Sequence, residues 1–172
     1  MRPVSNEGRV ETEVRTKDVF RAAAIQEIEE IRGKYPTARA ALLPALYVAQ
    51  REFGWLSSDA YEAVSDILGV PRAVVRGVGT FYAMYKRVPM GRNIVQLCTN
   101  VSCMILGAER LADLLGNRYG LEAGGTTADG RFSLVIMECI GACGTAPAML
   151  VNDDFYENLT EKNIEEILER YK

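Results

Sequence analysis

The four cysteines of this chain form two close pairs, and their spacing limits the possible folds and chemistry more than any other feature. The pairs are Cys98-Thr-Asn-Val-Ser-Cys103 and, 36 positions later, Cys139-Ile-Gly-Ala-Cys143. Four cysteines in 172 residues are too sparse for a disulfide scaffold. In a reducing compartment, paired cysteines are more often metal ligands or redox groups. If all four serve one site, the fold must bring two separate segments together.

The chain contains no histidine. This absence excludes Ser-His-Asp and Cys-His catalysis, zinc fingers of mixed cysteine and histidine, and clusters of the Rieske type. Any metal must therefore be held by sulfur or carboxylate.

The spacing C-x4-C followed by C-x3-C favours one metal chemistry without excluding another. Structural zinc usually takes C-x2-C pairs, although wider gaps occur, and a dithiol redox site requires C-x-x-C. Iron-sulfur clusters accept longer loops, and C-x4-C is a plant-type ferredoxin spacing. The pattern favours a single binuclear cluster over zinc, and either over inert buried thiols. Flexible backbone at Gly141, Ala142 and Gly144 can supply N–H donors, and a helix starting beside Cys103 would add its positive dipole end.

Composition and charge exclude several other functions. Charged residues make up 25% of the chain, the net charge is −3, and no apolar run reaches the roughly 18 residues of a spanning helix. We expect a cytoplasmic chain with no nucleic acid partner and no direct membrane insertion. The acidic pairs Glu29-Glu30 and Glu165-Glu166 are interpreted as solvated helix faces, not as catalytic carboxylates.

Helical periodicity dominates the first half of the chain. Residues 1–17 are polar and predict a flexible tail, and apolar spacing predicts a helix from Asp18 that ends at Gly33. Ser57 or Ser58 can cap a later helix, and Pro71 can open another. The apolar positions that define the first two helices are Phe20, Ala24, Ile28 and Ile31, then Leu42, Leu46, Ala49 and Phe53.

The second half alternates between strand and helix patterns. Residues 94–97 predict a strand ending at Cys98, and a helix is expected directly after Cys103. Residues 132–137 are nearly all apolar, which predicts a strand covered on both faces. Residues 148–151 and 154–157 could form a hairpin, and Thr160 caps a final helix. The fold class is therefore α/β (α+β): an N-terminal helical bundle followed by a domain with a mixed sheet flanked by helices.

An aromatic group precedes the second half. Phe81, Tyr82 and Tyr85 stand beside Lys86 and Arg87, which could suggest a nucleic-acid platform, but the acidic balance favours core or subunit interface. Trp55 is either a partner contact or a satellite core residue.

The cysteine segments also resemble a known family when they are taken together with their surroundings. The motifs are Cys98-Thr-Asn-x-x-Cys103-Met, Gly125-Thr-Thr-x-Asp-Gly130, Glu138-Cys139-Ile-Gly-Ala-Cys143 and Ala146-Pro147, with Leu43-Pro-Ala-Leu46, Phe53-Gly-Trp-Leu56 and Gly79-Thr-Phe-Tyr82 in the helical half. This set, spread over about residues 20–170, resembles the thioredoxin-like 2Fe-2S subunits, called E subunits, of bacterial NADH:quinone oxidoreductase, or respiratory complex I.

The resemblance implies an organisation and a function. Residues 89–172 would form a thioredoxin-like ferredoxin domain whose single 2Fe-2S cluster is held by Cys98, Cys103, Cys139 and Cys143. Residues 18–88 would dock on the subunit that binds FMN and NADH, so neither is expected on this chain, and other peripheral-arm subunits would lie nearby. The chain would then be an electron-transfer subunit of an oxidoreductase without a substrate-converting site of its own, held at the cytoplasmic face of the inner membrane through the complex.

The chain departs from this family at three positions. Many relatives have histidine where Tyr47 and Ile94 stand, and often asparagine at the position of Thr145. Neither imidazole can therefore be essential for holding the cluster. Thr145 can still donate a hydrogen bond, but the tuning of the cluster is expected to differ.

Two alternatives to complex I remain. Related modules occur in NAD-linked hydrogenases and formate dehydrogenases, so the chain could be the equivalent subunit there. From another class, four thiols could hold zinc in an interaction module without redox activity. Ligation by thiolates alone predicts a low midpoint potential, near the plant-type value of about −400 mV.

Overall fold

The computed structural model describes residues 20–171, which belong to two compact units that divide between Pro89 and Met90. Each unit has its own hydrophobic core. The predicted flexible tail, residues 1–17, lies outside the described residues, and the role of residues 18–88 in docking stays a prediction. In the part of the chain described here, no helix has the length and apolar character needed to cross a membrane.

The first unit is helical, as its periodicity predicts. Its apolar helix faces build one core, in which Ile28, Leu46 and Val64 have no exposed surface. The predicted start at Asp18 lies outside the described residues, and the first described helix begins at Ala22. A short 3-10 helix, Ala38–Ala41, precedes the second helix and was not predicted. The α-helices are α1 (Ala22–Gly33), α2 (Leu42–Phe53), α3 (Ser58–Leu68) and α4 (Arg72–Phe81).

Local signals in the sequence set the ends of these helices. Ser57 is the N-cap of α3, and its side chain accepts a hydrogen bond from the Ala60 N–H at 3.1 Å. Gly54 and Gly69 follow α2 and α3 in the left-handed conformation, where glycine is not penalised. Ser57, not Ser58, is therefore the cap.

The aromatic group after α4 is divided between core and surface. Tyr85 is 3% exposed and donates its hydroxyl to the Leu43 carbonyl at 2.8 Å, whereas Phe81 is 79% exposed. The Gln50 side chain holds the same segment, because it accepts from the Lys86 N–H at 2.6 Å and donates to the Met84 carbonyl at 3.2 Å. Tyr85 is thus a core residue, and Phe81 belongs to the surface.

The second unit is built on the predicted mixed sheet. Its strand order is β2-β1-β3-β4, with β1 parallel to β2 and antiparallel to β3, and β3 antiparallel to β4. The hairpin between β3 and β4 is confirmed, and Asn152 takes the left-handed conformation in its turn. The elements are β1 (Asn93–Cys98), α5 (Val101–Ile105), α6 (Ala108–Tyr119), β2 (Phe132–Met137), β3 (Met149–Val151), β4 (Asp154–Tyr156) and α7 (Glu161–Leu168).

The prediction that residues 132–137 form a strand covered on both faces is confirmed for the first three residues and wrong for the end of the strand. Phe132, Ser133 and Leu134 are buried, but Ile136 is 39% exposed near the C-terminal end of the strand, where the chain leads to Cys139. The apolar run indicated the strand correctly. It could not tell a central strand from an edge strand.

The prediction of a helix directly after Cys103 is also corrected. The helical segment begins three residues earlier, at Val101, because the Asn100 side chain caps it by accepting from the Val101 N–H at 2.8 Å. It ends at Ile105, and Gly107, with a φ of 98°, separates it from α6. Cys103 therefore lies inside a five-residue helix and not at the start of the long one.

Candidate metal centre

The two cysteine segments leave the sheet at the same edge. β1 ends at Cys98, which lies opposite Met137, the last residue of the parallel strand β2. The carboxyl ends of parallel strands meet at one edge, so the segment with Cys103 and the segment with Cys139 and Cys143 start side by side. The register of this one strand pair brings the two halves of the motif together.

All four thiols belong to one connected group. Cys98 interacts with Cys103 and Cys139, and Cys103 interacts with Cys98 and Cys143. The first pair is buried at 3% exposure each, whereas Cys139 and Cys143 are exposed. Ala108 and Ala146 pack against the buried pair. The site thus has a buried half, formed by Cys98 and Cys103, and an exposed half, formed by the other two.

Backbone N–H groups surround the sulfur atoms. The backbone N–H groups of Asn100 and Ile140 lower the pKa of Cys98, and that of Ala148 acts in the same direction on the pKa of Cys103. Gly141 donates its N–H to the Cys139 Sγ at 3.3 Å, which confirms one of the three predicted donors. Donation by Ala142 and Gly144 stays a prediction. The Ala148 donor follows a cis peptide bond between Ala146 and Pro147.

Sequence reasoning missed three of these donors, those of Asn100, Ile140 and Ala148. Asn100 had a readable signal, because asparagine is a strong N-cap and stands two residues after Cys98, the end of β1. Ala148 carries no such signal. Its N–H reaches Cys103 only because β3 pairs with β1, which a linear pattern does not specify.

The two buried thiols respond differently to this environment. Burial raises the pKa of Cys98, but the N–H groups of Asn100 and Ile140 and the thiols of Cys103 and Cys139 outweigh it, so the pKa lies below its usual range. Burial raises the pKa of Cys103, and the neighbouring Cys98 raises it further. Cys98 is therefore the first of the pair to become a thiolate, the form that binds metals.

The arrangement of the donors fits a binuclear cluster. The interactions connect the thiols in a row, Cys139 to Cys98 to Cys103 to Cys143. A 2Fe-2S cluster takes four thiolates spread over two irons and carries net negative charge, which backbone N–H donors stabilise. Four thiols, several N–H donors and no imidazole match these requirements.

An uncharged apolar surface borders the buried half of the site. Residues 100–108 contain no charged side chain, although much of α5 faces solvent. This surface was not predicted, and the signal that could have found it is the run without charge around Cys103. Its exposed members are Val101, Met104, Ile105 and Leu106.

Thr145, one of the positions that differ from the resembling family, lies close to the exposed half. It ends the 3-10 turn Cys143–Thr145, and its hydroxyl donates to the Glu157 carboxylate at 2.6 Å. Ile94 lies in β1 at 7% exposure, and Tyr47 lies on α2 in the other unit.

Comparisons with known proteins agree on one kind of relative. The family model described as thioredoxin-like [2Fe-2S] ferredoxin matches residues 28–172. The E 2 subunit of NADH-quinone oxidoreductase from Rhizobium meliloti (strain 1021) is 44% identical over 147 residues, which are 86% of this chain and 88% of that protein. The E subunit of NADH-quinone oxidoreductase from Escherichia coli (strain K12) is 38% identical over 151 residues, 88% of this chain and 91% of that protein.

A solved structure shows the same fold within a larger protein. The crystal structure of an NAD+-reducing [NiFe]-hydrogenase in the air-oxidized state matches with a TM-score of 0.66 and 25% identity. The match covers 76% of this chain but only 22% of the hydrogenase chain. The fold described above therefore occurs there as one part of a longer polypeptide.

Proposed function

The chain belongs to the thioredoxin-like [2Fe-2S] ferredoxin family, and from this premise we propose that it is the electron-transfer subunit of an NADH-oxidising module of the complex I type. Relatives from two organisms share its length as well as its sequence, and both are named subunits of NADH-quinone oxidoreductase. The observation that carries the proposal is the row of four thiols at one sheet edge, in a chain without imidazole.

The cofactor of this family is one 2Fe-2S cluster, and Cys98, Cys103, Cys139 and Cys143 would hold it. When bound, such a cluster accepts and returns one electron at a time without changing any bond to carbon. The chain would contribute four thiolates, the uncharged apolar surface at residues 100–108 and backbone N–H donors. Cys98 and Cys103 would bind the cluster from its buried side, and Cys139 and Cys143 would bind it from the solvent side.

The N–H donors set the electrostatics of the site. Donors to Cys98, Cys103 and Cys139 oppose the negative charge that four thiolates bring together. Ligation by thiolates alone gives low midpoint potentials, about −400 mV for plant-type ferredoxins, and additional N–H donors raise the potential from that value. The exposed position of Cys139 and Cys143 allows an electron donor on another subunit to approach.

The partner is the subunit that carries FMN and NADH. The first unit has no cysteine and presents an exposed Phe81 with Tyr82, Met84 and Val88, an aromatic and apolar surface suited to a protein partner. Other peripheral-arm subunits would complete the assembly, which would hold this chain at the cytoplasmic face of the inner membrane. No dinucleotide or P-loop motif occurs in the sequence, which supports the absence of a substrate-converting site.

The second candidate function is the equivalent subunit of an NAD-linked hydrogenase. The specific observation in its favour is the match to the NAD+-reducing hydrogenase structure. The cluster chemistry of this chain would be the same in both settings, and only the partner would differ. Membership of a 2Fe-2S family disfavours the zinc module.

The first test is reconstitution of the full chain with iron and sulfide under anaerobic conditions. We expect a red-brown protein with about two irons per chain, paramagnetic after dithionite reduction, and with a midpoint potential of about −400 mV. A colourless, zinc-containing product, or a midpoint well above zero, would overturn the proposal. With the flavoprotein partner present, addition of NADH should bleach the cluster absorbance, whereas the chain alone should not respond.

A further inference from the structure

The two halves of the site are held by different kinds of structure. Cys98 ends a strand and Cys103 lies in a helix, and both are buried. Cys143 is exposed and begins a 3-10 turn of only three residues, Cys143–Thr145. A turn this short has little internal stability. The position of Cys143 therefore depends on whatever holds the far end of the turn.

A segment from the other side of the unit holds that end. Thr145 donates its hydroxyl to the Glu157 carboxylate at 2.6 Å and accepts from the Asn158 N–H at 2.7 Å through its carbonyl. Leu159 donates its N–H to the Pro147 carbonyl at 3.0 Å. We call residues 157–159 the clip. The clip forms two hydrogen bonds with Thr145, at the end of the turn, and one with Pro147, two residues later.

The clip is itself anchored to the domain. Leu159 is 4% exposed and belongs to the core of this unit. Asn163 donates its side-chain amide to the Asn158 carbonyl at 3.0 Å and forms a capping box with Thr160 at the start of α7. Asn158 takes the left-handed conformation between these contacts, with a φ of 51°. A continuous set of bonds thus leads from α7 to the turn that starts at Cys143.

We propose that the clip is a positioning element for the cluster ligand Cys143, and that the hydrogen bond from Thr145 to Glu157 keeps the exposed half of the site closed on the cluster. The inference rests on the proposed function. The Glu157 carboxylate is negative, and so is a 2Fe-2S cluster, so its charge cannot stabilise the cluster. Glu157 contributes by accepting the hydrogen bond that fixes the position of the turn. The amide of glutamine at this position would preserve the bond and remove the charge.

The test measures the release of iron from the reconstituted full chain to a strong ferrous chelator under anaerobic conditions. Thr145→Val and Glu157→Ala each remove the bond, and we expect iron release about three- to tenfold faster than in wild type, the size of effect that one hydrogen bond has. Glu157→Gln and Thr145→Ser retain an acceptor and a donor. They should release iron within about twofold of the wild-type rate.

Three further measurements separate positioning from other effects. The double variant Thr145→Val with Glu157→Ala should release iron no faster than the single variants, because both remove the same bond. Asp153→Ala is the matched control: it removes a carboxylate from the turn of the hairpin that precedes Glu157, and nothing among the described residues forms a hydrogen bond or ion pair with that side chain. It should release iron at the wild-type rate.

The electron paramagnetic resonance spectrum after reduction should change in Thr145→Val and not in Asp153→Ala.

The outcomes distinguish the two proposals. If the wild-type chain takes up no cluster, the proposed function and the clip both fail. If wild type holds a cluster and both bond-removing variants release iron at its rate, only the clip is overturned. Equal acceleration in Glu157→Ala and Glu157→Gln would show that charge, not the hydrogen bond, governs release, and would also overturn it.

Discussion

Gly141 donates its backbone N–H to the Cys139 Sγ at 3.3 Å, and it does so in the left-handed conformation, with a φ of 82°. Side chains other than glycine rarely adopt this conformation, because the Cβ atom crowds the following carbonyl. The left-handed conformation of Gly141 therefore directs its N–H toward the sulfur of Cys139, two residues earlier in the chain.

Replacing this glycine should alter the site through the backbone alone. A Cβ at Gly141 would meet nothing within 4 Å, so Gly141→Ala adds no collision and only a conformational cost of about 1–2 kcal/mol. We expect the loop to relieve that cost by turning the N–H away from Cys139. Loss of a donor disfavours the more negative, reduced cluster, so the midpoint potential should fall in a redox titration followed by paramagnetic resonance.

Gly144→Ala is the matched control for this change. Gly144 lies in the same loop, outside the left-handed region, and its added Cβ would also meet nothing within 4 Å. Its potential should equal that of wild type. Equal shifts in both variants would show that bulk in the loop, and not the conformation at Gly141, sets the potential.

The ligand set makes a second prediction. Cys139→Ala should abolish the visible colour and lower the iron content from about two per chain to near zero, because a 2Fe-2S cluster needs four protein ligands. The helical unit should stay folded, since its core shares no residue with the cysteine unit. Fluorescence of Trp55, the single tryptophan, reports on that unit.

Ser102→Ala controls for disturbance of a cysteine segment as such. It changes the residue beside Cys103 and removes no thiol. Colour and iron content should match wild type. Unchanged iron in Cys139→Ala would remove Cys139 from the ligand set.

Much of this fold could be read from local patterns. The helix faces with Ile28, Leu46 and Val64, the caps at Ser57 and Thr160, and the alternation of strand and helix after Pro89 are all local signals. The cysteine spacing likewise indicated a shared site. These predictions succeeded because periodicity and capping act within a few residues, the range over which a sequence can be read directly.

Features set by tertiary pairing could not be read in this way. The apolar run of β2 gave no sign that Ile136 lies on an edge strand, because that depends on which strand pairs beside it. The Ala148 donor and the clip at residues 157–159 depend on β3 and on the connection to α7. The early start of α5 is different, since the asparagine that caps it at position 100 is a local signal.

Tyr85 predicts a dependence of the first unit on alkaline pH. Burial raises the pKa of Tyr85, and the nearby Tyr47 and Tyr82 raise it further. A raised pKa in the folded state means that its stabilisation is complete below the unfolded value of about 10 and is lost as pH rises above it. The free energy of unfolding, from urea titrations followed by Trp55 fluorescence, should fall more steeply above about pH 10 in wild type than in Tyr85→Phe.

At pH 8 the same variant should be less stable by about 1 kcal/mol, because it loses the hydrogen bond from Tyr85 to the Leu43 carbonyl. Tyr61→Phe is the comparison. The Tyr61 hydroxyl is buried and finds no hydrogen-bond partner among the described residues, so its removal should leave stability at pH 8 unchanged or slightly higher. A Tyr85→Phe variant with wild-type stability and wild-type pH dependence would contradict both arguments.

The last prediction concerns two glycines of α4 that differ only in their neighbours. A Cβ at Gly79 would come within 2.3 Å of the Tyr61 ring, whereas a Cβ at Gly77 would meet nothing within 4 Å. Because Tyr61 is buried against the helix, Gly79→Ala should lower the free energy of unfolding by about 1–3 kcal/mol. Gly77→Ala should raise it by up to about 1 kcal/mol, since alanine favours the helix. Urea titration should show that the free energy of unfolding falls in Gly79→Ala and rises in Gly77→Ala. A change of the same sign in both variants would contradict the close approach of α4 to Tyr61.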